Sequence, residues 1–322
     1  MTHAHVSHSG TRPRIGLALG SGGARGWAHV GVLRRLQELN VPIYCVAGTS
    51  IGSIMGAVFA ARRLDVIEDL SRQIDWRRVA RMFVEVGFPR AGLVTGHRIQ
   101  QLIQEVVGVH LIEDLLIPFA AVAANLKTGE QVVLSRGSVV DAIRASIAIP
   151  GIFVPAQHDG HHLVDGGMIN PLPIDVAESM GADVVIAVDV NLLPGRGIDP
   201  PHTACPTVAH GMDRDVTAIL AHTREALPRV QSAFADAMER WFRRETTGLT
   251  IFDVLTRSVR IAENQITHGR LKLHPPALLI QPAVGSIETL EFHRASQAIE
   301  AGRAAAIACE SQILALLAAC RT

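Results

Sequence analysis

Residues 15–52 read IGLALGSGGARGWAHVGVLRRLQELNVPIYCVAGTSIG. Two short apolar runs, Ile15–Leu19 and residues 43–47, each lead into a glycine-rich turn, and each turn opens a helical pattern. The first turn is Gly20-Ser21-Gly22-Gly23-Ala24-Arg25-Gly26 and the second is Gly48-Thr49-Ser50-Ile51-Gly52. Residues 41–61 are apolar enough to suggest a membrane span. Pro42, Gly48, Ser50 and Gly52 break that run into strand, turn and helix, so a buried α/β core is the better reading.

Working outward, strand-like runs recur at 118–125, 131–134, 183–190 and 277–281. A hairpin is expected from 153–157 and 161–164 around His158-Asp159-Gly160. Helical patterns fill 64–107, 139–146, 173–180 and the alanine-rich 289–319. This alternation predicts an α/β fold with three α/β/α layers and a mostly parallel central sheet. Residues 14–322 are expected to form one domain behind a polar tail at 1–13; its His3, His5 and His8 could bind a metal loosely, but a disordered tail is the better reading. Residues 191–248 interrupt the pattern as a helical insertion or cover. There Phe234, Met238, Trp241 and Phe242 share a helical face beside Arg240, Arg243 and Arg244. That face fits a cover over the core or a subunit contact, and less well a helix resting on lipid headgroups.

Composition narrows the function classes. The 322 residues are 48% hydrophobic and 19% charged, which supports a sizeable core, and the net charge of +0 gives no global field toward nucleic acid. The four cysteines form no C-x-x-C pair, and the tail has no apolar signal-peptide core. Reduced thiols and a cytoplasmic setting are therefore expected.

The second turn fits G-x-S-x-G, a nucleophile elbow that projects a serine at a helix N-terminus. The competing reading is a plain strand-to-helix turn with Ser50 as helix N-cap. The first turn misses the dinucleotide spacing because Arg25 stands where the third glycine belongs, and no acidic residue ends the second strand for a ribose. No Gly-Lys-Ser/Thr follows, so it is not a P-loop. It remains an anion-cradling loop whose N–H groups at Gly22, Gly23 and Ala24 suit the oxyanion of acyl transfer, or a tight turn that only packs. A serine also needs a base. Asp165, in the turn Asp165-Gly166-Gly167, is one candidate; His222, His268 and His293 are others, and the residues alone leave the choice open. His29 reads as a packing or hydrogen-bonding residue.

Residues 17–33 (LALGSGGARGWAHVGVL), GTSIG and VDGGMINPLP together resemble the patatin-like phospholipase family, in the bacterial branch related to the catalytic domain of neuropathy target esterase. The resemblance runs from Arg14 to the C-terminal helix. It implies a Ser-Asp dyad without a catalytic histidine: Ser50 as nucleophile, Asp165 as base, and the loop from Gly22 through Ala24 as oxyanion hole. Gly20, Arg25, Gly26, Gly48, Gly52, Gly166 and Gly167 complete the matching motifs. Two positions depart from the family pattern: Ser21 replaces the first of three glycines, and Asp-Gly-Gly replaces Asp-Gly-Ala. The resemblance further implies hydrolysis of phospholipid or lysophospholipid acyl esters, with no metal or other cofactor, no nucleic acid, and peripheral contact with a membrane. A regulatory protein that kept the fold, or a soluble carboxylesterase or thioesterase, are the alternatives. A free aspartate titrates near ~3.9, roughly 3 units below the best base at neutral pH, a mismatch of about 4 kcal/mol that burial of Asp165 would reduce.

Overall fold

The computed structural model describes residues 13–74, 94–193 and 251–319. The polar tail up to residue 12, Cys205, His222 and the aromatic face around Phe234 and Trp241 lie outside the described residues.

Among the described residues eight strands form one sheet. They are β1 (Ile15–Leu19), β2 (Ile43–Thr49), β3 (Phe119–Asn125), β4 (Gln131–Leu134), β5 (Ala156–His158), β6 (His161–Asp165), β7 (Val184–Val188) and β8 (Leu278–Ile280). Bonded neighbours run β5-β6-β3-β2-β1-β7-β8, with β4 also paired to β3. The sheet is mixed: its centre, β3-β2-β1-β7-β8, is parallel as expected, and the antiparallel pairs lie to one side. The β1/β2, β1/β7, β2/β3 and β7/β8 pairs are parallel, whereas β3/β4, β3/β6 and β5/β6 are antiparallel. The physical reason is connection length. Asp159 and Gly160 both take positive φ, 46° and 77°, in a two-residue turn that returns the chain against its own strand. Parallel pairing needs a longer crossover.

The helices are α1 (Trp27–Glu38), α2 (Ile51–Ala60), α3 (Leu64–Gln73), α4 (His97–Val107), α5 (Val139–Ser146), α6 (Ile174–Ser179), α7 (Ile251–Leu273), α8 (Ala295–Ala308) and α9 (Glu310–Ala319). They cover both faces of the sheet, so the three-layer expectation holds. Leu17, Leu19, Val46, Ile186 and Val188 face one buried cluster with Leu33, Met55 and Ala298 of the helices. Ala18, Ala47, Val185 and Ala187 face the other, with Ile174, Val176 and Ala177 of α6. Strict alternation between two apolar layers explains why the parallel strands read as continuous apolar runs. The run at 41–61 resolves into β2 and α2, as the breakers indicated. Among the described residues no single helix is long and apolar enough to cross a membrane.

The β3 pairings position the site. β4 pairs with Ala121–Ala124 of β3, β2 with 119–122 and β6 with 123–125. Because β4 shares positions with both, β2 and β6 must lie along the opposite edge, end to end. Thr49 pairs with Val122 and Asp165 with the next residue, Ala123. The strand ends carrying Ser50 and Asp165, which are 115 residues apart in sequence, therefore abut.

Candidate active site

Ser50 follows the last residue of β2 and precedes α2, with φ 55° and ψ −123°. A non-glycine residue there is strained by about 1–3 kcal/mol and persists only where its surroundings hold it. Ser146, at the end of α5, provides that hold. Its Oγ accepts from the Ser50 N–H at 2.9 Å and donates to the Val122 carbonyl at 2.6 Å. Thr49 Oγ1 donates to the Asn170 carbonyl at 2.8 Å. The spacing of the motif is set by backbone approach. A Cβ on Gly48 would stand 2.4 Å from the Gly52 carbonyl oxygen, and one on Gly52 would stand 2.1 Å from the Leu19 carbonyl oxygen. Gly52→Ala is accordingly expected to cost about 3 kcal/mol through overpacking against backbone. That corresponds to a fall in Tm of about 5–10 °C, measurable by calorimetry. An unchanged Tm would show that the close approach is not required.

Ser50 occupies the N-cap position of α2, yet its side chain makes no capping bond. Its hydroxyl donates instead to Asp165 Oδ2 at 2.6 Å. Asp165 Oδ1 accepts the Gly167 N–H at 2.7 Å, and the Asp165 N–H donates to the Ala148 carbonyl at 3.0 Å. The aspartate is 3% exposed. Burial first, and the negative charge of Glu263 second, push its carboxyl up to about 8; the bonds from Ser50 and Gly167 oppose this. Among the described residues no histidine bonds to Ser50 or Asp165. His268 Nδ1 bonds the Asn264 carbonyl of its own helix at 2.7 Å. His29 Nε2 bonds the Gly20 carbonyl at 2.9 Å, and burial lowers its pKa to about 4, so the neutral ring donates to that carbonyl and pins the first turn.

The first turn sits over Ser50. Gly20 and Ser21 donate their N–H groups to Val188 and Pro171 carbonyls at 3.0 and 2.8 Å. The Ala24 N–H donates to the Thr289 carbonyl at 2.8 Å, so Ala24, expected as the third oxyanion donor, has its N–H already engaged. Among the described residues the N–H groups of Gly22 and Gly23 have no acceptor, and both glycines line a cavity with Ser50 and Asp165. Gly23 has φ 58°, and a Cβ there would lie 2.4 Å from the Thr289 oxygen. Gly26 packs directly on Ile51, and Gly166 on the Val122 carbonyl.

Behind the turn lies a buried polar network of which only Arg25 belongs to the sequence motifs. Arg25 is 1% exposed and donates from Nη1 to the Ile287 carbonyl at 3.0 Å and from Nη2 to Asn191 Oδ1 at 2.8 Å. Asn191 Nδ2 donates to Glu263 Oε2 at 2.6 Å. Arg260 Nη2 donates to the carbonyls of Leu192 and Gly285. Burial and the neighbouring Arg260 lower the Arg25 pKa to about 9, which leaves it cationic at neutral pH.

Two cavities meet at Ser50. One, of about 470 Å³ and partly open to solvent, is polar on its far wall, where Arg25, Arg260 and Glu263 stand beside Asp165. The other, of about 800 Å³ and also partly open, is almost wholly apolar and includes Trp27, Ile54, Met55, Ile99, Leu102 and Phe153. Among the described residues no histidine lines either.

A family model described as patatin-like phospholipase matches residues 17–178. An uncharacterized NTE family protein of Mycobacterium bovis is 35% identical over 329 residues, covering 91% of this chain and 90% of that protein. Lysophospholipase NTE1 of Pyricularia oryzae is 30% identical over 294 residues, covering 89% of this chain and 18% of its own length. Patatin-like phospholipase domain-containing protein 6 of Mus musculus is 40% identical over 182 residues, covering 55% of this chain and 13% of its own. With the elbow, the glycine loop and the Asp-Gly-Gly turn already in contact, these matches show that the chain belongs to the patatin-like phospholipase family, among its NTE family proteins.

Proposed function

We propose that the protein is a serine hydrolase that cleaves acyl esters of phospholipids or lysophospholipids through Ser50 and Asp165. The 2.6 Å bond between these two buried groups, at the junction of an apolar and a polar cavity, carries the reading. Ser50 Oγ attacks the ester carbonyl as Asp165 takes its proton. The N–H groups of Gly22 and Gly23 receive the developing oxyanion; one such donor is typically worth about 2.7–4 kcal/mol. Asp165 returns the proton to the leaving alcohol, and an acyl-Ser50 ester remains. Asp165 then takes a proton from water, which attacks that ester, and passes it to Ser50 Oγ as the fatty acid leaves.

The two cavities divide the substrate. The apolar one takes the acyl chain, because its almost wholly apolar lining suits a hydrocarbon. The polar one takes the glycerol side of the ester. A base with a pKa near 8 is matched to neutral conditions in a way a solvated aspartate is not. Lipid as substrate also supports peripheral contact with a membrane.

The test is covalent. A fluorophosphonate probe is expected to label the folded protein at Ser50, and peptide mass spectrometry locates the adduct. A folded sample that stays unlabelled would favour the regulatory alternative. Lysophospholipid turnover against short-chain esters and thioesters separates the proposed substrates from those of a carboxylesterase.

A further inference from the structure

Glu263 lies on α7, 8% exposed, on the wall of the cavity that holds Ser50 and Asp165. Its Oε1 sits over Gly167, 2.0 Å from the point where a Cβ on that glycine would stand, and Asp165 Oδ1 is 3.1 Å from the same point. The two oxygens are thus no more than about 5.1 Å apart, the sum of those distances. Only glycine at 167 lets the second carboxylate come this close.

Two buried carboxylates at that separation do not both ionise freely; they titrate as a pair, and the local partners decide which keeps the charge. Glu263 accepts the Asn191 amide at 2.6 Å, and the other end of that amide accepts from Arg25 at 2.8 Å. The groups facing Glu263 are Arg25 from the turn after β1, Asp189 from the end of β7, Asp165 from the end of β6, and Arg260 on its own helix. Burial first, with Asp189 adding to it, holds the Glu263 carboxyl above its ordinary value, while Arg25 leads the influences that favour the charged form, followed by the bond from the Asn191 amide. Among the described residues Asp165 has a hydroxyl and one amide as side-chain partners and no cation. The pair is asymmetric in its partners: Glu263 is anchored through Asn191 to a cation and Asp165 is not, so of the two Glu263 is the better placed to carry the charge and Asp165 the proton.

We propose that Glu263 is a positioning residue for the dyad, whose buried carboxylate, anchored through Asn191 to Arg25, keeps the standing negative charge of the site and so directs the proton of Ser50 to Asp165. The inference rests on the reading of Ser50 and Asp165 as a catalytic pair. It gives the buried Arg25–Asn191–Glu263 network a role in the chemistry rather than in packing alone.

The experiment is the pH profile of kcat/KM on p-nitrophenyl butyrate for the wild type, Glu263→Gln and Glu263→Asp, with fluorophosphonate labelling of Ser50 in parallel. Glutamine keeps the shape and an acceptor for Asn191 but removes the charge. Its rising limb is expected to move down by about one pH unit or more, with a plateau lowered about tenfold because the base is weaker. Aspartate withdraws the charge from Asp165 and is expected to shift the limb the same way by less. A limb that does not move in Glu263→Gln overturns the inference, whatever the plateau does. Should that variant not fold, an unmoved limb in Glu263→Asp overturns it instead. Wild type labelled at Ser50 with unmoved limbs removes only the role of Glu263; wild type unlabelled at Ser50 removes the dyad as well.

Discussion

Ser50→Ala is expected to lower kcat on an acyl ester by about 10⁴–10⁶-fold, as loss of the nucleophile does in serine hydrolases generally. The remaining rate over water would come from the Gly22 and Gly23 donors and from binding. Folding should be little affected, because the Ser50 N–H bond to Ser146 and the packing of Gly48 and Gly52 involve no atom beyond Cβ. The lost hydroxyl leaves Asp165 Oδ2 without its donor, but a carboxyl already inclined to hold a proton tolerates that. Ser50→Gly separates chemistry from strain. It should be equally inactive and more stable by about 1 kcal/mol, because glycine accepts φ 55° without penalty. Initial rates and melting curves of the three proteins check both halves. Activity within tenfold of wild type in Ser50→Ala would remove Ser50 as nucleophile.

The parts of the site that depend on neighbours in sequence were legible in it. The elbow and the glycine loop need an apolar strand, glycines at fixed spacing and a helix start, and all of these are local. Asp165 was visible as a strand-ending Asp-Gly turn, but only the family resemblance paired it with Ser50. Only the end-to-end arrangement of β2 and β6 on β3 brings it to Ser50, and strand order is not written in either segment. Ala24 shows the same limit in reverse. Three consecutive N–H groups look equivalent until the Thr289 carbonyl, far along the chain, engages one of them. Ser146, Asn191, Arg260 and Glu263 escaped notice because polar residues on helices and loops ordinarily face water. The helix at Ile251–Leu273 carries Arg260, Glu263, Asn264 and Thr267 buried on one face, a pattern that apolar periodicity cannot detect. The hidden signal was one cavity wall, shared by Arg25, Arg260 and Glu263, that had to be polar.

Asp165→Asn separates activity from stability, with opposite signs. Activity should fall by about 10²–10⁴-fold, the usual range for a lost general base, and the rising pH limb near 8 should disappear. Asparagine can still accept the Gly167 N–H, but its amide then faces Ser50 as a donor and cannot take a proton. For stability, the folded Asp165 carboxyl titrates near 8 and the unfolded one near 3.8. Between those values the native state binds more protons than the unfolded state, so the wild type loses stability as pH rises through that window, by up to about 1.4 kcal/mol per unit. Asparagine does not titrate and escapes the loss. Tm of the variant minus Tm of the wild type should thus be smallest near pH 4, grow upward through neutral pH, and level off above 8. His29 works in the other direction: its folded pKa near 4 lies below the ordinary 6.5, so both proteins lose stability as pH falls through that interval. Because that contribution is common to both, it cancels in the difference. A Tm difference independent of pH would mean that Asp165 is not held protonated in the native state, and with it would fall the account of Asp165 as a base tuned to neutral pH.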